Sequence, residues 1–317
     1  MSSASLARGR ASTAKAIRLA LRIGAGLVLL WVVGSALVAG LSGAFSEVLA
    51  RTPKLILLAA VLYALGQLMR IVRLALLIGN ARLSLRHLAG LHLYTSGVAL
   101  GTPLRLGDVY RAVELGRITG GTIVGFTFVW LERLFDAALI LPLLLYAVSR
   151  NPNPGSSYVG IAFFTLLFLA VSVILVALLP DNLRRVGTYL IRRHEGDWTI
   201  RCLRLIDDIR GMMRRIPNIL HGKVASLAAL TLLVWCFEVS GFAVIMLGWN
   251  PGLDPLGGLL AFLSQTVTGG TLPDLLIRGD GFIPAKMAYL AASQVPLAFV
   301  SAIAALYLAR LWIRRNA

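Results

Sequence analysis

Six long apolar runs are the feature that most restricts how this chain of 317 residues can fold. They cover residues 23–41, 55–79, 122–148, 158–179, 224–247 and 282–309. An α-helix needs about 20 apolar residues to cross the hydrocarbon core of a bilayer, and each run has close to that length or more. With 58% hydrophobic and 14% charged residues, the chain has no long polar stretch that could form a soluble domain. The sequence therefore predicts an all-α, polytopic membrane protein with one integral membrane domain over residues 1–317.

The net charge of +17 does not indicate a nucleic-acid-binding protein, because the basic residues lie in short loops beside apolar runs. The densest basic groups lie before residue 23, between residues 181 and 223, and after residue 309. Loops rich in Lys and Arg stay on the cytoplasmic side. We therefore predict a multi-pass protein of the plasma (inner) membrane with both termini in the cytoplasm. Anionic lipid head groups are its expected partners at that face, and nucleic acid is not.

The basic segment 181–223 is the longest polar stretch, and we expect the preceding span to end at Pro180 and Asp181. Apolar residues recur at helical spacing in its second part: Trp198, Cys202, Leu205, Ile209, Met212 and Ile216. Such a pattern, with arginines between, is typical of an amphipathic helix that lies on a membrane surface. We predict that this helix lies on the inner leaflet.

Neither a metal site nor a cofactor is expected. The four histidines show no ligand spacing, since His87 and His92 are five residues apart and fall on different helix faces. Cys202 lies in the basic segment and Cys236 within an apolar run, so no disulfide is predicted between them.

Two further apolar segments, residues 88–100 and 256–268, are too short to span and are interrupted by Gly and Pro. The interrupting residues are Gly101, Pro103 and Gly107 in the first, and Gly270, Pro273 and Gly279 in the second. A tilted span extended into each break (88–104 and 256–271) and a re-entrant hairpin both remain open. The charge balance favours the hairpin, because it keeps residues 105–117 and 181–223 both in the cytoplasm.

The two broken segments occupy corresponding places in the chain. Each follows one full span and precedes another, and three predicted crossings separate them, so they enter from opposite faces. This is the pattern of an inverted-topology repeat, in which paired Gly/Pro-interrupted segments mark a substrate site near the midplane. We predict a first repeat over about residues 55–149 and a second over about 224–310. The fold is thus about six transmembrane helices plus two broken re-entrant helices.

Charged residues lie within or beside the apolar segments. Those that we predict to bind substrate are Arg105, Asp108, Arg111, Glu132, Arg133, Asp136, Glu238, Arg278 and Asp280. A charge at the bilayer centre costs about 2.5–3.5 kcal/mol on insertion scales, so such residues face partners or a wet cavity. Arginine binds phosphate through a planar fork of donors, which suits a lipid head group. The alternative is that these arginines only neutralise the acids as structural pairs.

Three charges in the apolar runs have more specific expectations. Glu238 stands alone in its run, and we expect it to approach Arg105 or Arg278. The alternative is a protonated Glu238 that bonds to the backbone of a neighbouring helix. Arg70 and Arg73 lie toward the cytoplasmic end of their run, where we expect both side chains to extend to the head groups.

Two motifs in the first repeat resemble the lysylphosphatidylglycerol synthase transmembrane-region family of flippase-like membrane proteins. The family pattern is P-x-R-x-G-E, an arginine soon after, and E-R-x-x-D on the next helix. The matching residues are Pro103-Leu104-Arg105-Leu106-Gly107-Asp108, then Arg111, then Glu132-Arg133 and Asp136, with Asp108 where Glu is usual. The second segment, from Leu272 to Gly279, resembles the family more loosely.

The resemblance covers nearly the whole chain and implies a stand-alone flippase module without a synthetase or glycosyltransferase domain. The function that we expect is translocation of an anionic or aminoacylated phospholipid, or a lipid-linked intermediate, without covalent chemistry. One alternative is an integral-membrane transferase acting on a lipid phosphate or polyprenyl substrate, with Glu132, Asp136 or Glu238 as general base. Another is a non-catalytic partner of a lipid-modifying enzyme. The oligomeric state stays open, a homo-oligomer included.

Overall fold

The structure is a computed structural model that describes residues 3–41, 47, 50, 52–79, 84–103, 106–150, 156–193, 196–249, 271–273 and 284–316. Over those residues the regular elements are helices, and no strand occurs. In chain order they are α1 (Ser3–Gly40), α2 (Pro53–Ile78), α3 (Leu85–Leu100), α4 (Leu106–Thr119), α5 (Thr122–Arg150), α6 (Ser156–Arg193), α7 (Asp197–Leu220), α8 (Val224–Trp249), α9 (Pro284–Ala292) and α10 (Gln294–Asn316). The prediction of an all-α fold is confirmed.

Several of these helices are long and apolar enough to cross a membrane. The five such stretches in the described residues are Leu19–Gly40, Pro53–Ile78, Val159–Arg192, Val224–Trp249 and Met287–Arg314. They correspond to five of the six predicted runs. The remaining run, residues 122–148, forms α5. Its 29 residues extend about 43 Å at 1.5 Å per residue, but three charges in its middle lower its hydropathy. The polytopic membrane class is confirmed, and the sixth crossing stays a prediction.

Helices α2 and α8 form the most extensive pair in the described bundle, and they run antiparallel. Gly66 of α2 faces Val234 and Glu238 of α8, while Gly241 of α8 faces Ala59 of α2. Small residues at such an interface let two helix backbones approach closely. The short helix α9 packs against both members of the pair. Arg70, Arg73 and Glu238, which are described below, lie on this pair, and the other charged side chains of the site lie on α4 and α5.

Helices α3 and α4 form an antiparallel hairpin. Helix α3 ends at Leu100, the chain turns, and α4 begins at Leu106. The hydroxyls of Tyr94 and Tyr110 lie 3.0 Å apart across the hairpin, and Gly107 lies directly against Ala99. The two helices are only about 24 and 21 Å long, shorter than the roughly 30 Å hydrocarbon core. The re-entrant alternative predicts this geometry, and the placement of the hairpin in a bilayer stays a prediction.

Helix α6 continues through Pro180 to Arg193, beyond the expected end of the span, and the point at which the span leaves the membrane stays a prediction. Proline removes one backbone hydrogen bond, yet helices in membrane proteins tolerate it because neighbouring groups satisfy the freed carbonyl. Helix α7 then turns back and packs on α6.

The amphipathic helix predicted after residue 196 is present as α7. Its C-terminal half is docked: Ile216 is buried and packs with residues of α2, α5 and α8, namely Leu77, Phe128, Leu131 and Leu227. In its N-terminal half, Trp198 is 65% exposed and Leu205 is 52% exposed. The exposed half remains available for the predicted contact with the inner leaflet, which is still a prediction.

Only Thr271, Leu272 and Pro273 of the second broken segment are among the described residues, and all three are buried. Leu272 packs with Val32 of α1, and Leu100, the last residue of α3, lies against the same cluster. The segment therefore comes close to the first break. Gly270 and Gly279 lie outside the described residues, so the inverted repeat stays a prediction.

Candidate functional site

Six charged side chains from three helices are joined by ion pairs. We call this set the charge network; its members are Arg73 of α2, Asp108 and Arg111 of α4, and Glu132, Arg133 and Asp136 of α5. Three positive and three negative charges balance within it. Because a buried charge is tolerated only with a partner and hydrogen bonds, a closed set of pairs lets all six lie inside the helix bundle.

One end of the network is a two-pronged contact between Arg133 and Asp108. Arg133 Nε lies 3.0 Å from Asp108 Oδ2, and Arg133 Nη2 lies 2.6 Å from Asp108 Oδ1. Arg133 Nη1 also lies 3.4 Å from Asp136 Oδ2, since residues three apart share one face of α5. The Arg133 side chain is 34% exposed, the most of any network member. This end is therefore the open one.

The middle of the network is buried and joins α2 to α5. Arg73 Nη1 lies 2.6 Å from Asp136 Oδ1, and Arg73 Nε lies 3.7 Å from Glu132 Oε1. Helix α8 adds one neutral acceptor, Thr231, and one neutral donor, Trp235. Arg73 Nη1 donates to Thr231 Oγ1 at 3.1 Å, and Trp235 Nε1 donates to Asp136 Oδ1 at 3.4 Å.

At the far end of the network, Arg111 Nη2 lies 2.9 Å from Glu132 Oε2. The charges are close, but the alignment is poor: in the described residues, Nε and Nη2 of Arg111 and Oε1 of Glu132 have no hydrogen-bond partner. Buried polar groups normally have one. These atoms therefore have bonding capacity left for another group.

Glu238 of α8 has a partner that was not predicted, since its Oε1 lies 2.6 Å from Arg70 Nη2 of α2. Arg105 and Arg278 lie outside the described residues, so the expected approach of Glu238 to one of them stays a prediction. The expectation that Arg70 and Arg73 extend to the head groups was wrong. Arg73 is 3% exposed and Arg70 is ion-paired, because the antiparallel packing of α2 on α8 covers this part of α2. Four acids at membrane depth need basic partners, and that balance was a signal in the sequence for both arginines.

A neutral polar pair was also missed. His92 of α3 is 1% exposed, and its Nε2 lies 3.1 Å from Gln67 Oε1 of α2. Its Nδ1 has no hydrogen-bond partner among the described residues. The pair lies between the hairpin and the central helix pair, and no spacing rule in the sequence indicates it.

Of the predicted site residues, the structure brings five into the charge network: Asp108, Arg111, Glu132, Arg133 and Asp136. Arg105, Arg278 and Asp280 lie outside the described residues. Among the predicted breaks, Gly101 and Pro103 lie in the turn between α3 and α4, whereas Gly107 lies within α4. Gly107 contributes close packing against Ala99 and does not itself break the helix.

The described residues contain no group of three or more His, Cys, Asp or Glu that could hold a metal ion. What the charge network does offer is arginine donors in a low-dielectric setting, each now facing a carboxylate. Guanidinium forks bind carboxylate and phosphate with the same bidentate geometry. A phosphate that entered the open end would meet donors already aligned for it.

Comparison with known families gives one match. The family described as lysylphosphatidylglycerol synthase TM region matches residues 17–312, which include the charge network and the α3–α4 hairpin. Comparison with curated proteins and with solved structures found no match in either.

Proposed function

This chain belongs to the lysylphosphatidylglycerol synthase transmembrane-region family, and on that premise we propose that it is a lipid translocase. The substrate class is an anionic or aminoacylated phospholipid, or a lipid-linked intermediate. The protein resides in the plasma membrane with both termini in the cytoplasm, as the basic termini and segment 181–223 favour.

The charge network is the observation that carries the proposal. Six charges within a helix bundle cost far more than an apolar core would, and buried ion pairs are weak evidence for stability. Such residues in membrane segments typically mark a substrate path. The network lies beside the hairpin formed by α3 and α4, where the interrupted helix leaves backbone groups that only protein or a wet cavity can satisfy.

Arg133 is the residue that meets the lipid phosphate first in this proposal. Its guanidinium is the most exposed in the network, and Asp108 now occupies its fork. An entering phosphate diester replaces Asp108 in that fork, with the same bidentate geometry. When the phosphate leaves, Asp108 again contacts the Arg133 guanidinium, so the charge of Arg133 is neutralised at every stage.

The charges that follow the two breaks also contribute in the same proposal. Arg105, Arg278 and Asp280 follow the two breaks in the sequence, and a half-helix start adds backbone donors for an anion. The contact of Leu272 with the cluster that includes Leu100 supports a meeting of the two breaks. Lipid tails remain in the bilayer while the head group passes between these charges.

The transferase alternative receives less support. A general base must reach the proton that it removes. The three candidate bases, Glu132, Asp136 and Glu238, each contact an arginine instead: Arg111, Arg73 and Arg70. A non-catalytic role beside a lipid-modifying enzyme is compatible with the same geometry and is separated from translocation by the assay below.

The test is translocation by the purified protein in liposomes. Fluorescent phosphatidylglycerol is placed in both leaflets, and a membrane-impermeant reductant quenches the outer one. We expect the protein to make inner-leaflet phosphatidylglycerol accessible, and phosphatidylcholine with the same fluorophore much less so. If liposomes with and without the protein give equal rates of lipid movement, for every anionic and aminoacylated lipid tried, translocation is contradicted. A new covalent lipid product by mass spectrometry would favour the transferase.

A further inference from the structure

Helix α6 is longer than a membrane span requires. Its 38 residues extend about 57 Å, while the hydrocarbon core measures about 30 Å. The apolar part ends near Leu179, and the last turns carry Arg184, Arg185 and Arg192. These arginines therefore stand where the helix leaves the hydrocarbon, at the level of lipid head groups.

A pocket of about 560 Å³ opens on one face of these last turns. The residues that line it are Asp181, Arg184, Arg185, Thr188, Tyr189 and Arg192. They recur at three- and four-residue spacing, so they share one side of the helix. Among the described residues that line it, three guanidinium groups accompany one carboxylate, which gives an excess of two positive charges. The pocket is open and all of these residues belong to α6, so its charge, which selects an anion, is the feature that carries the argument.

An exposed apolar stripe continues from this pocket toward the other end of α6. Leu178, Ile174, Val171 and Leu167 follow at the same helical spacing, and all four are exposed. A ligand that uses both surfaces is an amphiphile with an anionic head. From this juxtaposition we infer that the face of α6 binds an anionic membrane phospholipid, with its phosphate among Arg184, Arg185 and Arg192 and its acyl chains along the stripe.

The opposite face of α6 explains how the pocket keeps its position outside the hydrocarbon. Gly187 faces Leu203 and Ile206 of α7, and a Cβ at this position would make ordinary van der Waals contact with both, so α7 packs along this side of the extension. The extension of α6 is thus held by α7. A lipid bound on the free face stabilises this arrangement, because a ligand that binds only the folded state favours it.

This site is separate from the proposed translocation path. None of its lining residues belongs to the charge network. The lipid is a resident bound to a lateral surface, and its binding does not depend on whether the protein moves lipids. A matched control is also present, since Arg86 of α3 and Arg310 and Arg314 of α10 are exposed arginines that lie outside both the pocket and the helix predicted to contact the inner leaflet.

The experiment is native mass spectrometry of the full chain in neutral detergent with equal amounts of phosphatidylglycerol and phosphatidylcholine of the same acyl chains. We expect wild type to retain phosphatidylglycerol preferentially. The triple variant Arg184→Gln/Arg185→Gln/Arg192→Gln should lower the ratio of the two adducts by about tenfold or more, since charge-assisted contacts to phosphate are lost. The variant Arg86→Gln/Arg310→Gln/Arg314→Gln, with the same change of charge, should keep the wild-type ratio.

The inference is overturned by a wild-type ratio in the pocket variant, or by an equal loss in the control variant. Excess inorganic phosphate should leave the lipid adduct in place; if it displaces the lipid, the pocket binds free anions instead. The network variant Arg133→Lys should keep the adduct, which separates this site from the translocation path. If the triple variant does not fold, each single variant should lower the ratio, and three wild-type ratios would overturn the inference as well.

Discussion

Arg73 of α2 and Asp136 of α5, 63 residues apart in the chain, form a buried ion pair with 2.6 Å between Nη1 and Oδ1. The pair holds two helices together at the centre of the charge network. Arg73 contacts Glu132 as well, and Asp136 contacts Arg133, so each charge has two partners of opposite sign. Because the charges share partners within the network, each buried charge needs fewer partners from outside it.

We predict strong coupling between these two residues. Arg73→Met leaves buried carboxylates with fewer partners and should lower the free energy of unfolding by about 3–5 kcal/mol. The double variant Arg73→Met/Asp136→Leu should cost clearly less than the sum of the two single variants. Denaturant unfolding in detergent measures this cycle. Arg201→Met, on the exposed surface of α7, is the control and should have little effect; additive costs within about 0.5 kcal/mol would mean that the pair is not coupled.

The contact between Arg70 and Glu238 should tolerate exchange of the two charges. In the wild-type protein, Arg70 Nη2 and Glu238 Oε1 lie 2.6 Å apart. Arg70→Glu replaces this ion pair with two acids, and Glu238→Arg replaces it with two arginines. Each single variant should lose most of its folded yield, because like charges at membrane depth repel without water to screen them. The double variant Arg70→Glu/Glu238→Arg should recover a substantial part. Folded yield is read by size-exclusion chromatography, and no recovery in the double variant would argue against a direct pair.

Gly107 should be intolerant of any side chain. A Cβ there meets the backbone of Ala99, which cannot move without opening the α3–α4 hairpin. Gly107→Ala should therefore destabilise the protein by about 1–3 kcal/mol, the usual cost of overpacking. Gly24→Ala in α1 is the matched control, since nothing lies within 4 Å of its Cβ position. That change should be neutral or stabilise by up to about 1 kcal/mol through helix propensity. Equal unfolding midpoints for the two variants would contradict the close contact.

Much of the site was accessible from the sequence because its signals are local. The E-R-x-x-D spacing puts Arg133 and Asp136 on one face of α5, and the Gly101 to Pro103 break forces a turn whatever the rest of the chain does. The partners of Arg70 and Arg73 depend instead on the packing of α2 against α8. Periodicity fixes which residues share a face of one helix, but it does not fix which other helix covers that face.

The same distinction applies to the helix that continues through Pro180. A proline in a soluble helix ends or kinks it, and the polar residues that follow strengthen that interpretation. Here the helix continues to Arg193, where α7 packs along it and Gly187 meets Leu203. A later segment, α7, thus packs against the part of α6 beyond Pro180, and residues 156–193 alone do not identify that partner.

The predicted topology is testable by labelling of single cysteines. After replacement of Cys202 and Cys236, a cysteine at Asp207, which is exposed on α7, should react with an impermeant reagent only from the cytoplasmic side. The reason is the concentration of arginines between residues 181 and 223. Cysteines placed at both termini should behave in the same way. Reaction of position 207 in intact cells or right-side-out vesicles would reverse the proposed orientation.

Replacement of Arg133 by lysine separates transport from stability. Lysine keeps the positive charge beside Asp108 and Asp136 but loses the planar fork that now holds Asp108 at 3.0 and 2.6 Å. If a lipid phosphate takes that fork during translocation, Arg133→Lys should slow the movement of phosphatidylglycerol by about tenfold or more, the effect of losing one charge-assisted contact. The free energy of unfolding should change by no more than about 1 kcal/mol, because Arg133 is partly exposed and its charge persists.

The matched control for this experiment is Arg117→Lys. Arg117 is about as exposed as Arg133 and also contacts an acid, Glu114, but it lies outside the charge network. It should leave the rate of transport unchanged. Both variants are compared with wild type in the same liposomes at equal protein density, by the quenching assay proposed above. Wild-type rates in Arg133→Lys, or an equal slowing in Arg117→Lys, would remove the exchange of Asp108 for phosphate as the mechanism, because a general effect of arginine loss would then account for both variants.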